Sequence, residues 1–374
     1  MVQEIIFHLG DRKTGSTSIQ DALARGDISS PGKTLFYSSP TNHIPLAKSL
    51  HTNDHLPLQE QRFNKLARQL KKSDADIAVI SAEHFESVDP ALLLTAIEQY
   101  LPEYRNNIRL IAYVRPHADR LLSNYAEQIK LGQFAGTLER FYQQRQRKNP
   151  LIYTARFDAW RDLFGDRFTL RPFIRSQLVN NDVVHDFADY IFQGATFSVR
   201  DAQQSNQSLT LEQLALLREF HLVLGKNKTL QNLQVGIGKQ MGRLLADIPQ
   251  KKRTKLRLHS ELTEQIIIAS LADAQALDAS YFAPDKPMET TLLAARAKAI
   301  TEPQSIKAGK CLSLRDIRMT RFWANLVVTL AGQTPDTLLS NLQDHLVSEL
   351  QNPVQTKDSP SKKPTTANDI LDLI

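Results

Sequence analysis

The chain has 374 residues, 41% of them apolar, enough to fill a substantial core in one large α/β domain or two smaller ones. No stretch approaches the roughly 18 consecutive apolar residues of a membrane span, and charges stand where a secretion signal needs an apolar run, so a soluble cytoplasmic protein is expected. One cysteine, Cys311, rules out an internal disulfide and a Cys-based zinc site, while a net charge of +6, spread thinly over 46 basic and 40 acidic residues, points to anionic ligands rather than nucleic acid.

In chain order, Glu4-Ile5-Ile6-Phe7-His8-Leu9 is a short apolar run closed by Gly10. From Ser16 to Ala24 the apolar Ile19, Ala22 and Leu23 fall at helical spacing, so the amino terminus reads as strand, glycine loop, helix. Leu56 to Lys72 reads as a helix, Asp76 to Ser81 (DIAVIS) as a buried strand, and Pro90 to Tyr100 as another helix. Ile108 to Val114 (IRLIAYV), rich in β-branched residues, is a third strand that passes through Arg115-Pro116 into a helical stretch reaching Lys130. The amphipathic segment Tyr153 to Phe164 precedes a fourth strand at Phe168 to Phe173. Strands alternating with helices predict an α/β fold with a mostly parallel central sheet flanked by helices.

From about Leu209 the texture changes to long helical stretches, Leu211 to Leu224 and Glu261 to Leu277, with no convincing strand. The expected organisation is an α/β nucleotide-binding core at 1–205, a C-terminal helical extension at 206–350 packed on it, and a flexible tail at 351–374 carrying Pro353, Pro360 and Pro364. The densest basic cluster, Lys251, Lys252, Arg253, Lys255 and Arg257, reads as a solvated face or turn.

Gly10 to Thr17 nearly matches the phosphate-binding loop G-x-x-x-x-G-K-[ST]. Gly10, the four-residue gap, Gly15 and the closing Thr17 are in place, but Ser16 stands at the lysine position and the loop's only lysine is Lys13. Main-chain N–H groups of a glycine loop that opens a helix point at a bound anion, and the helix dipole adds to the attraction. A lysine on the loop's crest would lie over the outer end of a short group, where charge builds up on a leaving oxygen. A phospho-sulfate anhydride has that length.

Arg12-Lys13-Thr14-Gly15-Ser16-Thr17 resembles the 5′-phosphosulfate-binding loop of sulfotransferases that use 3′-phosphoadenosine 5′-phosphosulfate (PAPS), whose pattern is roughly K-x-G-T-T; Ser16 departs from it by a hydroxyl-conserving exchange. Arg115-Pro116-His117-Ala118-Asp119-Arg120-Leu121-Leu122-Ser123-Asn124-Tyr125 is similar to that family's 3′-phosphate motif, an arginine at a strand's end followed by a serine on the next helix. Ala78 to His84, and Tyr153 to Phe173 with Trp160 and Arg171-Pro172-Phe173, resemble the intervening and following stretches, so the likeness covers about residues 1 to 215.

The resemblance implies a P-loop-NTPase-like arrangement and in-line transfer of a sulfuryl group from PAPS to a hydroxyl of a carbohydrate, lipid or small molecule. Arg12, Lys13, Thr14, Gly15, Ser16 and Thr17 would hold the 5′ side of the donor, with Arg115 and Ser123 on its 3′-phosphate and Lys13 stabilising charge in the transition state. No metal is called for, because the transferred group carries a single charge. For the general base, Glu83 lies just past a strand's end, where ligands of open α/β sheets bind; members of the family use a glutamate or a histidine, so His84 and His43 stand as alternatives. Asn206, in a polar stretch after the sheet domain, has no assigned role. Two rival readings are a P-loop kinase-like phosphotransferase, which lacks the expected acidic residue at the end of Ala78 to Ser81, and a non-catalytic nucleotide-binding relative.

Overall fold

A computed structural model describes residues 1–148, 151–200, 208–226, 230–248 and 254–331. The expected tail at 351–374, Asn206, and Lys251, Lys252 and Arg253 of the basic cluster lie outside these residues. In chain order the elements are β1 (Glu4–His8), α1 (Ser16–Arg25), β2 (Ile28–Ser29), β3 (Leu35–Phe36), α2 (Ile44–His51), α3 (Gln59–Lys72), β4 (Ile77–Ser81), α4 (Pro90–Tyr100), β5 (Ile108–Val114), α5 (His117–Lys130), α6 (Leu138–Lys148), α7 (Thr154–Phe164), β6 (Phe168–Pro172), α8 (Val183–Phe192) and β7 (Ser198–Val199). Six helices follow: α9 (Leu211–Leu224), α10 (Gln231–Asp247), α11 (Ser260–Leu277), α12 (Pro287–Lys298), α13 (Ala308–Cys311) and α14 (Leu314–Ala331).

Five strands form one parallel sheet in the order β3-β4-β1-β5-β6, with β1 at its centre; β2 and β7 make a small antiparallel pair apart from it. The fold is therefore the expected parallel sheet flanked by helices. Strands covered on both faces are apolar at every position rather than at alternate ones, and Ile5, Ile6 and Phe7 are all fully buried. Their alternation shows in where they pack. Phe7, Ile80, Leu110 and Ala112 join one cluster with residues of α3, α4, α5 and α7, while Ile6, Val79, Ile111 and Tyr113 join another with Ile19, Leu23 and Phe187 of α1 and α8.

The helical stretch expected from Leu56 begins at Gln59, after a 3₁₀ turn over Asn53–Leu58 that contains Pro57, which has no N–H to give to a helix ladder. Beyond β7 the structure is helical among the described residues, as anticipated, and it shares the core rather than sitting on it loosely. Leu214, Ile266, Ile267, Leu277 and Met288 belong to the same buried cluster as Phe7 and Leu110. One polar joint reinforces this. Asp273 of α11 accepts the main-chain N–H groups of Tyr153 (2.9 Å) and Thr154 (3.0 Å) at the start of α7, and binds Nε2 of the buried His117 at 2.8 Å.

The strand order fixes the place of the loop. The chain adds β3 and β4 on one side of β1, then crosses to place β5 and β6 on the other, so the direction of winding reverses beside β1. The carboxyl edge at such a reversal opens a crevice between diverging loops, and the segment Gly10 to Gly15 leaves β1 there.

Candidate functional site

The first half of the loop is stitched to β5: Leu9 N–H donates to Ile111 O (2.8 Å), Tyr113 N–H to Gly10 O (2.7 Å) and Asp11 N–H to Tyr113 O (3.1 Å). Asp11 is buried, and Arg156 of α7 grips its carboxylate with both guanidinium arms at 2.8 and 2.6 Å. The Asp11 carbonyl accepts the hydroxyls of Thr14 (2.6 Å) and Ser16 (3.1 Å). Buried Arg120 of α5 donates to the Arg12 carbonyl and to Glu86 (2.7 Å), and Glu86 accepts the Arg12 N–H at 3.1 Å. A buried charge alone costs several kcal/mol; here two carboxylates and two guanidiniums offset one another and clamp the loop from beneath. Burial pushes the Glu86 pKa up, helped by Asp11 and opposed by Arg120 and Arg156.

Gly15 ends the loop with φ 81°, and a Cβ there would lie 2.8 Å from Val183 and 3.1 Å from the Phe173 ring, so glycine is required on both counts. It also begins α1, whose start has neither a capping side chain nor an acidic residue in its first turn. The helix start thus offers main-chain N–H groups and the positive end of the dipole at the loop, an arrangement that suits an anion.

Lys13, although not a glycine, has a left-handed backbone with φ 66°. Its Nζ lies 3.0 Å from Glu127 on α5, and Lys130 Nζ lies 2.6 Å from the same carboxylate oxygen. Burial lowers the Lys13 pKa; Glu127 opposes this, and the charges of Lys130 and Arg115 add to it. Arg115 is thus within electrostatic reach of the loop's lysine. It has no carboxylate within ion-pair distance among the described residues, and its guanidinium lies 4.8 Å from the centre of the Phe173 ring, the same ring that faces Gly15. Ser123 sits one turn before Glu127 on the same face of α5. Lys13, Gly15, Arg115 and this face of α5 are therefore brought to one edge of the sheet. The Arg12 side chain is exposed and holds nothing in the loop, and Thr17 is exposed in the first turn of α1.

Of the three candidate bases, Glu83 follows β4 directly and accepts from Gln20 Nε2 at 3.4 Å. Gln20 also donates to Ser81 Oγ (3.1 Å), which bonds His8 Nδ1 at 2.8 Å. His84 is held neutral at pH 7, its pKa brought to about 4 by burial and by Arg12. Its Nδ1 has no hydrogen-bond partner among the described residues. His43 differs. Its Nδ1 accepts the Ser81 N–H (3.2 Å), so Nε2 carries the proton and donates to Ser38 Oγ (3.0 Å). The His43 ring thus ties the end of β4 to Ser38 in the segment after β3, with both ring nitrogens engaged.

Asp11, Glu86, Arg120, Arg156, Glu127 and Lys130 surround the candidate site, and the motifs assign none of them a role. Glu127 had a signal: a carboxylate at i+4 from Ser123 must share its helix face. The clamp of Asp11, Glu86, Arg120 and Arg156 had none, since its members lie far apart in sequence and meet only through the sheet.

Among solved structures the chain is similar to a sulfotransferase from Alicyclobacillus acidocaldarius, at 12% identity and a TM-score of 0.40 over 75% of this chain and 96% of that one. A likeness so loose says nothing about the role of any residue. No family model matches the chain, and no curated protein sequence does.

Proposed function

We propose that the protein is a sulfotransferase that moves a sulfuryl group from PAPS to an acceptor hydroxyl. The observation that carries this reading is the placement of Lys13, Gly15, Arg115 and the Ser123–Glu127 face of α5 at one edge of the sheet, with Arg115 close enough to depress the pKa of Lys13. Such an arrangement of positive groups suits one ligand with two anionic ends.

The main-chain N–H groups at Gly15, Ser16 and Thr17 bind the 5′-phosphate, with the dipole of α1 behind them. The Thr14 and Ser16 hydroxyls, bonded to Asp11 O, shape the loop. The Arg115 fork and the Ser123 hydroxyl take the 3′-phosphate. Lys13 offsets negative charge growing on the bridging oxygen as its bond to sulfur breaks and the acceptor oxygen bonds to sulfur from the opposite side. Glu83 accepts the acceptor's proton, so the products are a sulfate ester and adenosine 3′,5′-bisphosphate. The acceptor belongs to the hydroxyl class, as part of a carbohydrate, lipid or small molecule.

In a thermal-shift measurement, adenosine 3′,5′-bisphosphate raises the melting temperature at concentrations where ATP with magnesium does little; the reverse order favours a phosphotransferase. Lys13→Ala lowers transfer from PAPS by about two to three orders of magnitude with the fold intact. Arg115→Ala weakens the 3′,5′-bisphosphate about tenfold or more relative to adenosine 5′-monophosphate. Equal weakening of the two nucleotides removes Arg115 from the 3′-phosphate.

A further inference from the structure

The two ammonium groups that meet at Glu127 go beyond the roles above, and Lys130 belongs to none of the motifs. Lys13 and Lys130 share one carboxylate oxygen at 3.0 and 2.6 Å, with the three side chains only 32, 24 and 23% exposed. Arg115, with Asp119 of α5 beside it, stands nearby. Positive charge therefore outweighs what Glu127 can balance, at the crest of a loop that already presents a helix N-terminus.

Lys130 is fixed from outside the α/β sheet region. Its carbonyl accepts from His221 Nε2 of α9 at 2.8 Å. Two glycines one turn apart on α10 make room for it: a Cβ at Gly242 would lie 2.7 Å from Lys130 Cδ, and one at Gly238 would run into the Lys130 carbonyl oxygen. The C-terminal helices are thus built closely around this lysine.

Glu127 is poorly suited to accept a proton. Burial alone raises its pKa, but Lys13 and Lys130 outweigh that and hold it below the usual glutamate range, whereas a general base works best with a pKa near the operating pH. Its geometry is that of a holder of cations.

We propose that Glu127 is the positioning residue of Lys13 and that Lys130 is a second anion-binding cation of the donor site. The Glu127 carboxylate gathers both ammonium groups at the loop crest and yields them to the anionic end of the donor. This rests on the sulfotransferase reading for the identity of the anion, but not for the arrangement of the charges. Glu127 acts in two ways: it competes with the donor for the two lysines, and it keeps Lys13 protonated against burial, Lys130 and Arg115.

The test is calorimetric binding of adenosine 3′,5′-bisphosphate to the full chain and to three variants. Lys130→Met, which keeps the apolar stem, weakens binding about tenfold, Lys130→Arg restores most of it, and Glu127→Gln tightens binding by about the same factor. In Glu127→Gln the alkaline limb of the transfer rate moves to lower pH, because Lys13 has lost its counter-charge. Unchanged affinity in folded Lys130→Met and Glu127→Gln overturns the proposal. Failure of the unaltered protein to bind the bisphosphate overturns the sulfotransferase reading instead. The positioning claim is then judged by nuclear magnetic resonance titration of the ¹³C-methylated lysines: a Lys13 titration that drops in Glu127→Gln upholds it, and an unmoved one defeats it.

Discussion

His8, the last residue of β1, is fully buried beneath the loop among Phe187, Tyr113 and Ser81, and its Nε2 has no partner among the described residues. Burial lowers its pKa to about 3, against the weaker pull of Asp11. The unfolded chain takes up a proton at His8 below about pH 6.5, and the folded one does not until about pH 3. Its contribution to stability is therefore complete above pH 6.5 and is lost as the pH falls towards 3. For this one group the loss is about 2.5 kcal/mol by pH 4.5. Urea unfolding at pH 7 and 4.5 is expected to show a loss of that order, to which His43 and His84, lowered to about 4 chiefly by burial, add. In His8→Phe, which keeps a ring against Phe187, the loss is smaller by about the same amount; an identical pH dependence in the variant excludes His8 as a source.

Among the elements, α10 sets two glycines, two residues apart, in contrast. Gly238 meets the main chain of Lys130, whereas a Cβ at Gly236 would meet nothing within 4 Å. Gly238→Ala must push α10 off α5 and is expected to lower stability by about 1–3 kcal/mol. Gly236→Ala, free of that clash, raises it by up to about 1 kcal/mol through helix propensity. Denaturant midpoints of the two variants decide this, and equal shifts contradict the packing described. A helix whose sequence reads QNLQVGIGKQMG shows little propensity of its own, which is why periodicity passed over it. The same holds for α8, VVHDFADYIF, a short apolar run that suits a strand as well as a helix, and for β3, two residues at the sheet's edge. By contrast β1, β4, β5 and β6 were legible as continuous apolar runs because parallel strands are buried on both faces. The candidate site was legible to the same extent: Gly10, Lys13 and Gly15 stand in a short local pattern, as do Arg115 and Ser123, whereas the Asp11–Arg156 pair spans 145 residues and leaves no spacing to recognise.

At the scale of the molecule, the sheet region and the C-terminal helices are joined by polar as well as apolar contacts. Asp273→Ala takes from α7 the acceptor of two main-chain N–H groups and from His117 its one side-chain hydrogen-bond partner among the described residues. It is expected to lower global stability by about 2–4 kcal/mol in a single transition, with Asp273→Asn intermediate because its remaining carbonyl oxygen still accepts. Two separate transitions in the variant are the contrary outcome. The position of β1 has a further consequence, for biosynthesis. The Gly10–Gly15 loop lies near the amino terminus and leaves the ribosome early, but β1 pairs with residues 77–81 and 108–111, and the loop is clamped by Arg120 and Arg156 and walled by Phe173. A nascent chain stalled short of these residues carries the loop's sequence without its shape, so the loop cannot be set in place until nearly half of the protein has been synthesised.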